Sequence, residues 1–422
     1  MKLIHTPRFL PCLTAVATLT LMTPLAHAQM TDEGTGAGPQ NEAVDVNDAG
    51  VVIGNALSST NMSIAYVAVT TGNEVPLAAL ANDACSASSL NNNGSTAQIV
   101  GACDDANGVS QAVEWYANTP ATAPTVLRPL PGLLGLGAGV RTRATAQNIQ
   151  GSVVGVSITT VGTRVPAIWP SGVASPSLLP VGLLGIITPA NCVPTDVSDP
   201  IVANSDEAAI VGECPTDGSG TGRPIAVIWP DSSDGAQPLP LPAGAQYCVA
   251  EEVNVNGYVL GTCVYATDGY QTVRWSYPWT AAPIVLQTVS GTTVPRNSGV
   301  DMNATGQITG NYLAAGGFTL PYCWDPTATG TAGVTLTALS GGSTASASGI
   351  GNNGEVVGAG ETSGGNSHAF HSLMCATPTD DGTLPGGNNS GANGISPSGM
   401  VAEGWSEGTG EAVHSEVQSL SP

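Results

Sequence analysis

The stretch VNVNGYVLG, residues 253–261, packs a turn and a strand into nine residues. Asn and Asp side chains bond their own backbone in turns, and Gly accepts a positive φ, so N-x-x-G reads as a tight turn. The V-x-G that follows reads as a short β-branched strand. The unit recurs along the chain. VNDAGVVIG ends at Gly54, MNATGQITG at Gly310 and IGNNGEVVG at Gly358, and looser copies end at Gly101, Gly155, Gly212 and Gly404. Successive copies lie 46 to 57 residues apart.

A second run keeps a fixed form between the turns. It reads AVEW at Ala112, PAIW at Pro166, AVIW at Ala226, TVRW at Thr272 and PYCW at Pro321. It degrades to AYVA at Ala65, AFHS at Ala369 and AVHS at Ala412. No window carries the 3.6-residue apolar period of a helix. Three or four short strands in a unit of about 50 residues, repeated eight times, predict an all-β chain folded as an eight-bladed β-propeller. A seven-bladed ring and an open β-solenoid are the alternatives. The weak point is repeat eight, whose last run EVQSL is short, so a strand lent from the start of the chain would complete it. The expected organisation is a signal peptide over 1–28, a flexible segment over 29–40 and a single propeller over 41–422.

Two stretches carry a resemblance. LSGGSTASASGIGNNGEVVGAGETSGGNSHAF, residues 339–370, and DDGTLPGGNNSGANGIS, residues 380–396, resemble the HAF extracellular repeat family, named after the tripeptide seen here as His368-Ala369-Phe370. The match is specific in the last two repeats. In the first six the HAF tripeptide is missing, and His371-Ser372 stands where the family has Leu-Trp. The resemblance implies export and a propeller-like fold, and it implies no reaction.

The N-terminus agrees with export. Lys2 and Arg8 precede an apolar run, and AHA before Gln29 is a cleavage pattern, so the mature chain is expected to start near Ala28-Gln29. That places it in the periplasm or outside the cell. The mature chain has no Lys, and seven Arg stand against thirty-one Asp and Glu. Nucleic acid is therefore a poor partner, because no cationic cluster is visible to displace phosphate counterions. No later segment is apolar enough to span a bilayer. With 42% hydrophobic residues the chain can bury a core, and a monomer is expected.

No catalytic, cofactor-binding or metal-binding residue is assigned. Trp115, Trp169, Trp229, Trp275 and Trp324 share one repeat position and read as core. Trp279 and Trp405 fall off that position and are the candidates for exposed binding aromatics. GWSEG, residues 404–408, matches a nucleophile elbow around Ser406 but lies in the eighth V-x-G copy, without the strand–turn–helix setting such a serine needs. His368 and His371 are expected on opposite strand faces, and His371 and His414 at one repeat position in neighbouring blades. Acidic loops at Asp104, Pro230 and Pro378 are candidates for Ca2+, but none has the ligand ladder of a calcium loop. Scattered turn acids favour no particular role. A binding module for an extracellular glycan, protein or cell-surface component is the first reading. A propeller lyase or hydrolase acting on polysaccharide, and a purely structural surface protein, are the alternatives.

Eight cysteines remain after signal removal, an even number in an exported chain. Cys103, Cys214 and Cys263 each follow the V-x-G glycine by two residues, and Cys85, Cys192 and Cys248 precede the turns. Opposed residues in an antiparallel hairpin have a constant index sum. Cys248 and Cys263 share that sum with Asn254 and Gly257, so they face each other. The expected pairs are Cys85–Cys103, Cys192–Cys214, Cys248–Cys263 and, by elimination, Cys323–Cys375 between neighbouring blades.

Overall fold

The computed structural model describes residues 30–69, 73–80, 84–132, 137–182, 191–216, 222–266, 268–287, 289, 294–409 and 413–420. The expected signal peptide lies outside these residues. The described chain folds into eight four-stranded antiparallel sheets, the blades of a propeller closed by contact of blade 8 with blade 1. From blade 1 to blade 8 the innermost strands are Gln40–Val46, Cys85–Leu90, Gly139–Gln147, Val193–Val197, Ala245–Val253, Asn297–Met302, Ala345–Ile350 and Ser390–Ile395. Each runs into the N-x-x-G turn or its variant, and the second and third strands follow outward, ending on a short outer strand.

Blade 8 is completed by the other end of the chain. Met30–Asp32 pairs with Val413–Ser419, which pairs with Val401–Glu407 and then Ser390–Ile395. The segment 29–40, expected to be flexible, therefore carries the strand that closes the ring. A blade missing its outer strand would leave an unpaired edge, and the N-terminal strand covers it.

Every inner strand has a one-residue bulge opposite the V-x-G glycine, as at Ala87/Ser89 and Ala250/Glu252. The bulge presses a carbonyl against the second strand. A Cβ at Gly101 would overlap the Ser86 oxygen, and one at Gly261 the Val249 oxygen. The V-x-G glycine is thus a steric requirement of the bulge.

The core lies between blades. The five recurring tryptophans are at most 2% exposed, each packed on the preceding blade. Trp115, Trp169, Trp229 and Trp275 donate their indole N–H to the carbonyls of Ala78, Arg128, Pro180 and Pro240, each two residues past the preceding blade's outer strand. The same repeat position holds Ala68 in blade 1, Ser372 in blade 7 and Gln418 in blade 8, set by their ladder partners Val52, Val356 and Ala402.

One inner-strand site is fixed in two ways, by a cross-link within its own blade or by a hydrogen bond to the preceding one. In blades 2, 4 and 5 it is a cysteine, and disulfides join Cys85 to Cys103, Cys192 to Cys214 and Cys248 to Cys263. In blades 1, 3, 6 and 8 it is Asn41, Thr142, Asn297 and Ser390, each accepting a backbone N–H from the preceding blade's third strand: Ser415, Ala112, Thr272 and Ala369. The fourth disulfide, Cys323–Cys375, ties blade 6 to the link after the third strand of blade 7.

Candidate functional site

The eight inner strands surround a central channel whose two ends differ chemically. At the turn end, the residue just after the bulge is Asp45, Ser89, Ala146, Asp196, Glu252, Asp301, Gly349 or Gly394. Asp45, Asp196, Glu252 and Asp301 line one cavity of about 360 Å3. Each accepts an inner-strand N–H of the next blade: Leu90 at 2.7 Å, Val253 at 2.8 Å, Met302 at 2.9 Å and Ile350 at 2.7 Å. The turn acids are therefore not scattered: four occupy one repeat position and converge on one mouth.

Desolvation in this narrow mouth pushes Asp45 up to about 7 and Asp196 to about 6, against the backbone N–H bonds that pull both down. Burial, with Asp301 and Asp196 nearby, raises Glu252 well above the usual carboxylate range. Burial also raises Asp301. Burial brings Glu251, next to Glu252 in the chain, to about 7.

The first residue of N-x-x-G does more than make its own turn. The Oδ1 of Asn254 accepts from the Asn256 and Tyr258 N–H groups, and Gly257 takes φ 72°. Its Nδ2 donates across the junction to the Asn303 carbonyl at 2.8 Å. Asn47, Asn91, Asn148 and Asn303 repeat the cross-junction bond to Asn91, Asn148, Ser198 and Gly351. These asparagines form a collar around the acidic mouth.

Toward the other end lies a groove of about 850 Å3 over blades 2 to 4. Arg141 and Arg143 alternate on the inner strand of blade 3, so both point to the channel side, while Thr142 between them is buried. The Thr142 hydroxyl donates to the Leu127 carbonyl and accepts the Ala112 N–H, fixing this strand to blade 2. Arg164, at the start of Arg164–Trp169, reaches the same groove. The inner strands of blades 3 and 5 have nine residues each and that of blade 4 between them has five. In the sequence Arg141 and Arg143 have no other cation within ten residues. Arg164 joins them only through the fold, and no local spacing signals it.

The other candidates separate. Trp279, expected among the exposed aromatics, is 6% exposed: its indole donates to the Gly257 carbonyl and its ring packs edge-on against Tyr277. Trp405 is partly buried opposite Gly391 in its own blade. Ser406 is fully buried and faces His414 across the ladder, and His414 bonds Asp32 at 2.9 Å. The Ser406 hydroxyl, however, accepts the Leu384 N–H and donates to the Glu407 carbonyl. Ser157 of blade 3 makes the matching bond to the Leu130 N–H, so this serine position braces blades.

His414 does not share a repeat position with His371. Its partner Ser406 and the His368 partner Gly360 both stand two residues after a V-x-G glycine, so His414 matches His368. The final run of repeat eight is SEVQ, ending at Gln418, three residues later than the AVHS alignment. His368 and His371 bond Asp380 and Asp381 at 2.8 and 2.7 Å. In the acidic loops, Asp105 and Asp231 cap their own turns through N–H groups of residues 107 and 109, and 233 and 234. Among the described residues no group of three or more His, Cys, Asp or Glu is placed to hold a metal ion.

No family model and no curated protein matches the sequence. Solved structures match it in fold. The Dos1 propeller is 7% identical with a TM-score of 0.53, over 93% of this chain and 94% of that one. A puromycin-hydrolyzing peptidase of Mycobacterium tuberculosis is 10% identical with a TM-score of 0.50, over 84% of this chain and 56% of that one. The BP39L lectin of Burkholderia pseudomallei is 12% identical with a TM-score of 0.42, over 84% and 98%. The chain thus spans little more than half of the peptidase. At these identities the likeness shows the β-propeller fold alone.

Proposed function

We propose that the chain is an exported recognition module, of the HAF-repeat kind its last two repeats resemble, that binds an extracellular glycan, protein or cell-surface component. The observation that carries this reading is the groove over blades 2 to 4. It is concave, preformed on three rigid inner strands and lined by guanidinium and hydroxyl groups that can orient a ligand. Its volume lies within the range of about 300–1,000 Å3 common to small-ligand sites. Export is supported by four disulfides, which persist in oxidising compartments. No helix among the described residues is long and apolar enough to cross a membrane. The test is a screen of the purified mature protein on glycan and surface-extract arrays. Saturable binding weakened by substitutions in the groove supports the reading, and absence of binding to every component overturns it.

One observation favours a second reading, a lyase or hydrolase acting on polysaccharide. Four carboxyl groups with raised pKa values meet at the turn-end mouth, where a general acid would be protonated near neutral pH. Their bonds to the neighbouring blades give the same groups a bracing role. Depolymerisation by the wild type that is lost in Glu252→Gln, with folding intact, would favour the enzyme.

A further inference from the structure

We propose that the groove over blades 2 to 4 binds an acidic sugar residue, its carboxylate held by Arg141, Arg143 and Arg164. This rests on the recognition reading above and names the ligand class of the same site. Three of the seven arginines of the mature chain meet here, in a protein with thirty-one acidic residues, and among the described residues none of those lining the groove is acidic. All three side chains are exposed, and among the described residues none forms an ion pair. A guanidinium offers a planar fork of donors that matches a carboxylate in two parallel hydrogen bonds. Successive channel-facing positions on one strand are about 7 Å apart, so Arg141 and Arg143 bracket a ligand of monosaccharide size.

The hydroxyls of the groove supply the complementary half. Ser88 donates to the Val100 carbonyl, Thr145 to the Val154 carbonyl and Thr195 to the Ala250 carbonyl. With their protons directed into the protein, these oxygens present lone pairs as acceptors. A ligand that fits both sets carries a carboxylate for the arginines and hydroxyl donors for the Ser and Thr oxygens, which describes an acidic sugar. A densely charged polyanion fits less well, because the acidic excess of the chain repels it.

Calorimetric titration of the full mature chain tests this, with trigalacturonic acid as the probe and its methyl ester, pentaglutamate and inorganic phosphate as controls. The expected result is binding of trigalacturonic acid that weakens with salt, and weak or no binding of the controls. Arg143→Gln and Arg164→Gln should each reduce affinity about ten- to hundred-fold, the usual effect of losing a charged hydrogen bond. Unchanged thermal unfolding of both variants keeps the loss local. Equal binding of the methyl ester, equal competition by pentaglutamate or phosphate, unchanged affinity in both variants, or no binding of trigalacturonic acid at millimolar concentration each overturns the proposal. If array binding to another component survives Arg143→Gln, the acidic-sugar assignment fails while the recognition reading stands. If no component binds, both fail.

Discussion

The junctions between blades 1 and 6 and the two junctions of blade 8 solve the same packing problem with different chemistry. Five junctions from blade 1 to blade 6 each bury a tryptophan, and blades 2, 4 and 5 are each stapled internally by a disulfide. Blade 8 has neither. On its blade 7 side it buries Glu416 and Gln418 beside Glu355 and the His371–Asp381 pair. Glu355 Oε1, Glu416 Oε2 and Gln418 Nε2 have no hydrogen-bond partner there. On its blade 1 side it buries Glu403, with both carboxylate oxygens unpartnered, near the Tyr66 hydroxyl, also unpartnered. Glu74 is satisfied by Ala37, Asn41 and Ser415.

The comparison teaches where stability resides. Apolar burial joins blades 1 to 6 to one another, disulfides staple the inner strands of blades 2, 4 and 5 to their own second strands, and the arginine groove is built on blades 2 to 4. The closing blade has apolar clusters without a tryptophan at both junctions, and adds polar contacts and a strand from the far end of the chain. Unpaired buried polar groups cost about 1–3 kcal/mol each, so this blade is the expected site of first opening.

The largest expected effect is loss of a tryptophan from blades 1 to 6. Trp229→Ala should destabilise the protein by roughly 3–5 kcal/mol in denaturant titration, the range for deleting a large core aromatic. A cost below about 1 kcal/mol would mean that the Trp positions do not carry the junctions, and the contrast with blade 8 would collapse.

The next effect is pH dependence, shared between blade 8 and the raised carboxyl groups of the channel mouth. Burial, with Asp381 nearby, raises Glu416 from its ordinary 4.5 to about 8. Glu403 is raised well above the carboxylate range by burial and by Asp45, Glu416 and Glu42. The folded protein thus holds protons that the unfolded chain releases above about pH 4.5. The stability these groups contribute is fully present below pH 4.5 and is lost as pH rises through about 8. His371, raised by its hydrogen bond to Asp381, acts in the same direction. Thermal unfolding should therefore show a lower midpoint at pH 8.5 than at pH 5, by an amount reflecting a few kcal/mol on the order of one strong shift. Glu416→Gln should make the fall less steep, the remaining raised carboxyl groups keeping its direction. A midpoint that rises with pH over this interval would contradict the assignment.

A smaller effect separates the two ways of securing the inner strand. Thr142→Val removes the bond that holds the Arg141 and Arg143 strand to Ala112 and Leu127 and should cost about 1–3 kcal/mol. Reducing Cys248–Cys263 should cost about 3 kcal/mol in the chain-entropy account. If the two effects were equal, clamp and cross-link would be interchangeable.

Much of this architecture is legible in the sequence because it is periodic. The V-x-G glycines mark all eight blades, and the pairing of Cys248 with Cys263 expected from the N-x-x-G turn holds, although the ladder beside the turn starts one residue out, at Val253–Val259, and reaches that register only through the bulge at Ala250/Glu252. The acidic mouth was legible in principle. DVN at Asp45, DVS at Asp196, EVN at Glu252 and DMN at Asp301 place an acid two residues before the turn residue. Its meaning depends on the bulge, which no local pattern announces. The Asn collar was read only as turn chemistry, because its second bond crosses to a residue about 50 positions away. Repeat eight slipped by three residues because it lacks the Trp that anchors the others. Trp279 was misplaced for a related reason: it lies off the repeat position yet fills the corner above Gly257.

Hydrogen exchange on the mature protein at pH 8, corrected for intrinsic rates, tests the central contrast most directly. The account predicts that amides of Val401–Glu407 and Val413–Ser419 in blade 8 exchange well before those of Pro224–Trp229 and Tyr270–Ser276 in blades 4 and 5. It also predicts that this gap narrows at pH 5. Uniform protection around the ring at both pH values, or first opening within blades 2 to 5, would contradict it.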